Sequence, residues 1–148
     1  MTTALVLDSS TLLTWILQEP QWQVVETILS TPDTDVVLPS VGLVEVVETA
    51  RRKGNVSTGE MIAQLIASRG VRVVAPERDM LLRAAELLEL SKQNPGPVNR
   101  HGVAATLSLG DSMIIATAEG LRCQVVSRDS YWDQLAADGH ITVKVVTF

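Results

Sequence analysis

ALVLDSST, residues 4–11, joins a short apolar run to a carboxylate and three hydroxyl residues. The continuous apolar character of residues 4–7 predicts a strand that is covered on both faces, as in a parallel sheet. Asp8 then stands at the end of that strand, where a charged group can face a ligand, although Asp followed by Ser is also common in turns. The stretch therefore predicts a buried parallel strand, and by itself it leaves the role of Asp8 open.

Further strands and helices alternate along the chain. Short β-rich runs occur at residues 36–38, 71–75, 124–127 and 141–147. Apolar residues recur at helical spacing between them, in segments that begin near residues 10, 22, 40, 57, 79, 111 and 131. The alternation predicts a single domain over residues 1–148, with a three-layer α/β/α fold around a central, mostly parallel, five-stranded sheet.

Two helix starts and one long loop add detail to this prediction. Ser10 is placed to cap the first helix, and Ser57 with Glu60 matches a capping box for the fourth. Residues 92–107, which contain Asn94-Pro95-Gly96-Pro97, have no regular pattern. A loop of this length inside a compact domain is usually functional or mobile.

Composition limits the class of protein. The 148 residues are 46% hydrophobic and 3% aromatic, which predicts one core of aliphatic side chains. The net charge of -5 argues against nonspecific adhesion to nucleic acid, although an acidic protein that binds divalent cations can still act on it. Cys123 is the single cysteine, so we expect no intrachain disulfide and a reducing compartment. No apolar run approaches the roughly 20 residues of a membrane span, so we expect a soluble, cytoplasmic protein.

Three other acids stand in positions comparable to that of Asp8. Asp129 follows an apolar strand in VVSRDSYW, Asp111 opens a helix in LSLGDSMIIATA, and Glu45 interrupts the apolar segment VGLVEVVE. Residues beyond the carboxyl ends of neighbouring parallel strands meet in one crevice, at the switch point of the strand order. Glu45 needs a cation nearby if it is buried, because an unpaired buried ion costs several kcal/mol.

Each acid also has a structural explanation. Asp8 can begin a turn, and Asp129 can cap the helix that follows it. Asp111 matches a capping box with Ser108, and Glu45 can lie on the solvent side of a helix. These explanations do not account for the placement of all four acids at predicted cleft positions.

The order of these motifs resembles the PIN domain family, and most closely its VapC-type ribonuclease toxins of prokaryotic toxin-antitoxin pairs. The motifs are Asp-Ser-Ser at 8–10, Glu in the helix after Pro39-Ser40, Asp before IIATA, and Ser-Arg-Asp at 127–129. The resemblance implies an acidic quartet with two polar helpers: Asp8, Glu45, Asp111 and Asp129, with Ser10 and Ser127. It also implies the strand order 3-2-1-4-5, which places the first and last acids on either side of the switch between the first and fourth strands.

The chemistry implied by the resemblance is metal-dependent hydrolysis of RNA phosphodiester bonds. Carboxylate oxygens suit Mg²⁺ or Mn²⁺ better than structural zinc. Asp8, Asp111 and Asp129 would bind the ion, and Glu45 would bind it or orient the attacking water. Ser127, which replaces the family's usual Thr, would donate a hydrogen bond to one of the ligands.

Candidate contacts with substrate and partners lie outside the quartet. Arg128, beside the last acid, and Arg100, in the long loop, are the candidate phosphate contacts, and residues 51–53 form a weaker basic patch. The resemblance also implies an antitoxin, which would place an apolar helix with a basic residue in a groove between the early helices. Trp15 and Trp22 are candidate lining residues for that groove. Homodimerisation is implied in the same way.

Two other functions stay open. An aspartyl-phosphate phosphotransfer enzyme also places Asp at a strand end. A phosphatase of that kind has a second acid where Ser10 stands, and no evident late strand-end Lys completes a receiver site. A non-catalytic α/β module would instead use the acids as helix caps and its cleft to bind a protein.

Overall fold

A computed structural model describes residues 3–148, and this part of the chain contains five strands and seven helices. The strands are β1 (Thr3–Leu7), β2 (Thr34–Pro39), β3 (Arg72–Val74), β4 (Gln124–Val126) and β5 (Val145–Val146). The helices are α1 (Ser9–Ile16), α2 (Trp22–Ser30), α3 (Ser40–Arg52), α4 (Gly59–Ser68), α5 (Arg78–Gln93), α6 (Leu109–Leu121) and α7 (Ser130–Ala137). A bilayer-spanning helix does not occur within residues 3–148, where every helix is too short or too polar.

The five strands form one sheet in the order β3-β2-β1-β4-β5, and every pair is parallel. The strand order reverses beside β1, where Leu7 pairs with Val126 of β4. Asp8 and Ser127, the residues that follow these two strands, therefore leave the sheet at the same edge. The structure confirms the predicted α/β class and the order 3-2-1-4-5, and it makes the sheet wholly parallel instead of mostly parallel.

The sheet separates two hydrophobic cores, one on each face, and Tyr131 and Trp132 are buried in one of them, so the prediction of one aliphatic core is wrong. Helices α1 to α4 supply the core that contains Leu12, Val46 and Ile62. Helices α5 to α7 supply the other, which contains Leu87 and Ile115. Burial of one such side chain contributes about 1.5–3 kcal/mol to stability. Coverage of both faces explains why the first strand reads as a continuous apolar run.

Two predicted helix starts differ in the structure. α1 begins before Ser10: Asp8 occupies the N-cap position, and the Ser10 hydroxyl donates to the Asp8 carboxylate at 2.7 Å. The predicted capping box of Ser57 and Glu60 is wrong. Thr58 caps α4 instead, because its hydroxyl accepts a hydrogen bond from a backbone N–H of the first turn at 3.2 Å.

The segment 92–107 is more regular than its sequence indicates. α5 extends to Gln93, and the residues after it form a short antiparallel hairpin with a bridge between Val98 and Ala104. The hairpin ends just before Ser108, the N-cap of α6.

Candidate functional site

Asp8 lies at the carboxyl end of β1 and is almost fully buried, with 4% of its surface exposed. Its Oδ2 accepts hydrogen bonds from the Ser10 hydroxyl at 2.7 Å and from the Ser127 hydroxyl at 2.8 Å. Burial raises the pKa of Asp8 to about 6, the two hydroxyl bonds oppose the shift, and the charge of Asp111 adds to it. Asp8 is therefore held in place while its charged form stays poorly solvated.

Glu45 reaches the same region from α3. Its Oε1 is buried and has no hydrogen-bond partner within residues 3–148. Burial is the largest cause of the raised pKa of Glu45, the charges of Asp111 and Asp8 raise it further, and the Ser9 hydroxyl opposes the shift. A buried carboxylate oxygen without a donor is unusual in proteins and needs a partner such as an ion or a water molecule.

Gly110 makes the position of Glu45 possible. A Cβ atom at Gly110 would lie 2.6 Å from Oε2 of Glu45 and 2.8 Å from its carboxyl carbon. The carboxylate therefore lies directly against the α6 backbone, and a larger residue at position 110 would force it to move. Gly110 was not among the predicted site residues, although a glycine inside a helix costs roughly 0.5–1 kcal/mol relative to alanine and so indicates a packing or functional reason.

Asp111 stands in the first turn of α6 and does form the capping box that its structural explanation requires. Its backbone N–H donates to the Ser108 hydroxyl at 3.0 Å, and its Oδ2 accepts from the Ser108 N–H at 2.9 Å. The pKa of Asp111 is raised mainly by burial, against the Ser108 bonds, and also by the charge of Asp129. The capping box uses Oδ2 and leaves Oδ1 without a hydrogen bond from residues 3–148. Capping and ion binding are thus compatible at this residue.

Asp129 is the exposed member of the quartet and the N-cap of α7. Its Oδ1 accepts a hydrogen bond from the Tyr131 N–H at 2.9 Å, and its own N–H donates to the Ser127 hydroxyl at 3.1 Å. Since Ser127 also donates to Asp8, one buried hydroxyl connects the acids that follow β1 and β4.

The four acids are brought to one region, and each is close enough to another to influence it. The charge of Asp111 acts on Asp8 and Glu45, and the charge of Asp129 acts on Asp111. Within residues 3–148, no Lys, Arg or His forms an ion pair with any of them. The cation that the burial of Glu45 calls for is therefore not supplied by these residues.

The donor set of this region fits a divalent cation of the Mg²⁺ class. As the side chains stand, no three His, Cys, Asp or Glu residues within 3–148 are close enough to enclose an ion by themselves. Mg²⁺ keeps several waters and is commonly held by only one or two carboxylates. The unpartnered Glu45 oxygen and the free Asp111 oxygen are hard ligands of the kind that such an ion prefers.

The two predicted phosphate contacts differ in how they are held. Arg128 donates to the Thr14 hydroxyl at 3.0 Å, and its guanidinium lies 5.5 Å from the centre of the Phe148 ring. Arg100 is exposed in the hairpin, where it donates to the ring of His101 at 3.2 Å.

The weaker basic patch, residues 51–53, is partly paired with acids. Arg52 contacts Glu48 at 3.5 Å, and Lys53 contacts Glu19 at 3.3 Å. Exposed ion pairs of this kind contribute little to stability, but they reduce the charge that is available to a substrate phosphate.

Comparison with known proteins gives a family match. The model of the PIN domain family matches residues 5–138. No curated protein matches the sequence.

Several solved structures are similar to this chain. VapBC2 from Rickettsia felis, bound to a promoter DNA fragment, is 12% identical over 99% of both chains, with a TM-score of 0.68. VapBC-1 from nontypeable Haemophilus influenzae is 14% identical over 98% of both chains, with a TM-score of 0.65. VapC20 from Mycobacterium tuberculosis, a sarcin-ricin loop cleaving toxin, is 17% identical over 95% of this chain and 98% of its own, with a TM-score of 0.67. At these identities the likeness shows a shared fold. Since the family model spans most of the chain, from the first strand to the last helix, this protein belongs to the PIN domain family.

Proposed function

We propose that this protein is a divalent-metal-dependent endoribonuclease and the toxin of a toxin-antitoxin pair. The observation that carries the proposal is the cluster of Asp8, Glu45 and Asp111, whose charges lie at the switch point of the sheet without a cation from the protein. Such a cluster lowers the stability of the folded protein unless it binds a cation. Membership of the PIN family and likeness to toxin-antitoxin structures support the same assignment.

Each residue has a role in the proposed hydrolysis. The ion, when bound, supplies Lewis acidity that acidifies water and offsets negative charge on the phosphate. Asp8, Asp111 and Asp129 would hold it together with water molecules, and Ser10 and Ser127 fix the Asp8 carboxylate.

Glu45, whose Oε1 has no hydrogen-bond partner within residues 3–148, would bind the ion as a further ligand or orient the attacking water. An oxygen–phosphorus bond forms to the attacking water and the bond to the leaving nucleotide breaks. The proton that the water loses is balanced by protonation of the leaving oxygen, so the products are one phosphate monoester and one hydroxyl. Arg128, held beside α1 by Thr14, would contact a phosphate oxygen of the substrate.

A metal-dependence assay tests the proposed function. We expect the purified protein to cut a circular single-stranded RNA with Mg²⁺ or Mn²⁺ and to leave it intact in EDTA, because the acids alone offer no substitute for the ion. A circular substrate has no ends, so its cleavage reports an endonuclease. Cleavage that persists at the same rate in EDTA, or no cleavage with either metal, would contradict the proposal.

The aspartyl-phosphate alternative has less support. The Ser10 hydroxyl donates to Asp8 at the position where a phosphatase has its second acid. Lys53 is paired with Glu19, and Lys144 precedes β5 at the opposite end of the strand from the acids. Stable labelling of Asp8 by acetyl phosphate would favour this alternative over the nuclease.

The antitoxin is expected to bind along the early helices. A cleft of about 530 Å³ between α3 and α4 is lined by five apolar or small residues and by three charged ones, two of them acidic: Leu43, Val44, Val47, Gly59 and Ala63, with Glu48, Glu60 and Arg51. A second cleft of about 280 Å³ is lined by Trp15, Trp22 and Leu65. Trp15 is fixed there, since its indole donates to Glu26 at 2.6 Å and lies under the guanidinium of Arg69.

These clefts fit an apolar helix that carries basic residues. Val44 is 67% exposed on α3, the helix that also carries Glu45, so a partner helix bound along α3 could extend a long basic side chain to the acidic cluster. A helix seated in this cleft would thereby both bury apolar surface and neutralise the site.

Val44→Glu is expected to weaken antitoxin binding by about tenfold or more while RNA cleavage stays at the wild-type rate. The new charge would be buried against the partner helix without touching the acids. Calorimetric titration with the cognate antitoxin measures the effect. Leu82→Glu on α5 is the matched control, since Leu82 is 52% exposed on the other face of the sheet. Equal weakening by both variants would contradict the assignment of this cleft.

A further inference from the structure

The hairpin at residues 96–105 is preformed. Its legs are joined by backbone hydrogen bonds from Gly96 N to Ala105 O at 2.7 Å and from Ala105 N to Pro97 O at 3.0 Å. At its tip, the Asn99 side chain accepts hydrogen bonds from two backbone N–H groups, of His101 at 2.8 Å and of residue 103 at 3.0 Å. These bonds define the turn without a ligand.

Both legs of the hairpin are fixed to one buried pair, Ser91 and Tyr131. The Tyr131 hydroxyl donates to the Asn94 carbonyl at 2.7 Å and lies 3.0 Å from the Ser91 hydroxyl. Ser91 in turn accepts a hydrogen bond from Leu107 N at 2.7 Å on the returning leg. The Tyr131 ring lies directly against Gly96 and leaves no room there for a Cβ atom. The base of the hairpin is therefore rigidly held.

The anchor points lie next to the acidic cluster. Tyr131 is two residues beyond Asp129, and its own N–H bonds the Asp129 carboxylate. The returning leg leads to Ser108, the N-cap of α6, which forms a capping box with Asp111. The hairpin thus rises from the rim of the site between these two acids.

The tip carries side chains that suit a nucleic acid. Arg100 and His101 are exposed, and within residues 3–148 no carboxylate forms an ion pair with Arg100. Val98 and Val103, on the two legs, are 64% and 60% exposed. In a chain with a net charge of -5, an arginine that is not paired with a carboxylate of residues 3–148 attracts a phosphate backbone that the acids would repel. Guanidinium and imidazole groups also stack on unpaired bases.

We propose that this hairpin is the specificity-determining element of the nuclease, and that its tip binds the single-stranded RNA nucleotides beside the scissile phosphate. The inference rests on the proposed function. Each leg has about four residues and so reaches about 13 Å from the rim. That reach brings Arg100 and His101 to neighbouring nucleotides and keeps them away from the bond that breaks. Arg100 and His101 should therefore affect KM and the preference among RNA sequences, and kcat should change little.

The test compares wild type with a double variant, Arg100→Ala and His101→Ala, on a panel of short RNAs that differ at the nucleotides flanking the cut. We expect KM for the best substrate to rise by about fivefold or more, because one lost stacked base costs at least this much. The differences in kcat/KM among the panel should shrink, with kcat within about twofold of wild type. Arg78→Ala is the matched control: Arg78 is exposed at the other end of α5, about 24 Å along a helix of this length.

Tyr131→Phe tests the anchoring of the hairpin separately. The variant keeps the ring against Gly96 and removes the bond to the Asn94 carbonyl. As a positioning residue, Tyr131 should alter KM and the ranking of substrates in the same direction as the tip variant, with kcat preserved. A change confined to thermal stability would show that Tyr131 only supports the fold and would remove it from the proposal.

Three results would overturn the proposal. Unchanged KM and unchanged ranking in the tip variant, in a protein that loses cleavage on Asp8→Asn, would reject the hairpin alone. A change of oligomeric state in the tip variant with KM for RNA preserved would show that the tip contacts protein instead. Wild-type protein that cleaves RNA no faster than the Asp8→Asn variant would reject the proposed function, and this inference with it.

Discussion

Asp8→Asn is expected to lower the rate of metal-dependent RNA cleavage by about a thousandfold, because loss of several kcal/mol of charge stabilisation in the transition state has an effect of that order. An amide keeps the size of the side chain and can still accept a bond from Ser10 or Ser127, so the local packing should survive. The readout is kcat/KM on a labelled RNA at saturating Mg²⁺, with the fold checked by circular dichroism.

Asp138→Asn is the matched control for this experiment. Asp138 is an exposed acid at the C-cap of α7, and its replacement makes the same change of net charge away from the cluster. Cleavage by this variant should equal that of wild type. If the Asp8 variant retained wild-type activity as well, the assignment of Asp8 to the ion would be wrong.

Asp8→Asn should also make the metal-free protein more stable than wild type at neutral pH. An acid whose pKa is raised from 3.8 to about 6 by folding stabilises the protein fully below pH 3.8, and this contribution is lost as pH rises through about 6. Between about pH 4 and about pH 7.5 the stability of wild type should fall relative to the variant by up to about 3 kcal/mol. Urea unfolding of both proteins in EDTA measures the difference, and parallel stability curves would contradict it.

Gly110→Ala should reduce cleavage by about tenfold to a hundredfold, in the range found for residues that orient metal ligands. The new Cβ would lie 2.6 Å from Oε2 of Glu45, so that carboxylate has to move away from α6. The helix itself gains up to about 1 kcal/mol from the exchange of glycine for alanine, so the overall stability should change little. Loss of activity with near wild-type stability distinguishes a displaced carboxylate from a damaged fold.

A double-mutant cycle isolates the contact between Gly110 and Glu45. In a Glu45→Ala background the opposing carboxylate is gone, so Gly110→Ala should then stabilise the protein and should not reduce residual cleavage further. Equal losses of activity with and without Glu45 would show that the alanine acts on something other than this carboxylate.

Sequence alone predicted the features that depend on neighbouring residues. The unbroken apolar run before Asp8 indicated a strand buried on both faces, and the alternation of strands and helices indicated the three layers. The capping box of Ser108 and Asp111 was also visible, because both partners lie within one turn of helix. The order of the strands, in contrast, came from the family resemblance and not from periodicity. Even a local prediction failed at α4, where two adjacent hydroxyl residues compete for the cap and Thr58 takes it.

The tertiary structure decided what depends on residues far apart in the chain. Ser127 reaches Asp8 only because the sheet places β4 beside β1, across 119 positions of sequence. The close approach of Glu45 to Gly110 depends on how α3 meets α6, and no spacing in the sequence encodes it. The sequence predicts an irregular loop where the structure has a hairpin, because the two residues that hold the base of the hairpin, Ser91 and Tyr131, lie 40 residues apart. Local patterns fix periodicity and caps through short-range sterics and hydrogen bonds, whereas the candidate site depends on contacts that exist only after the layers have packed.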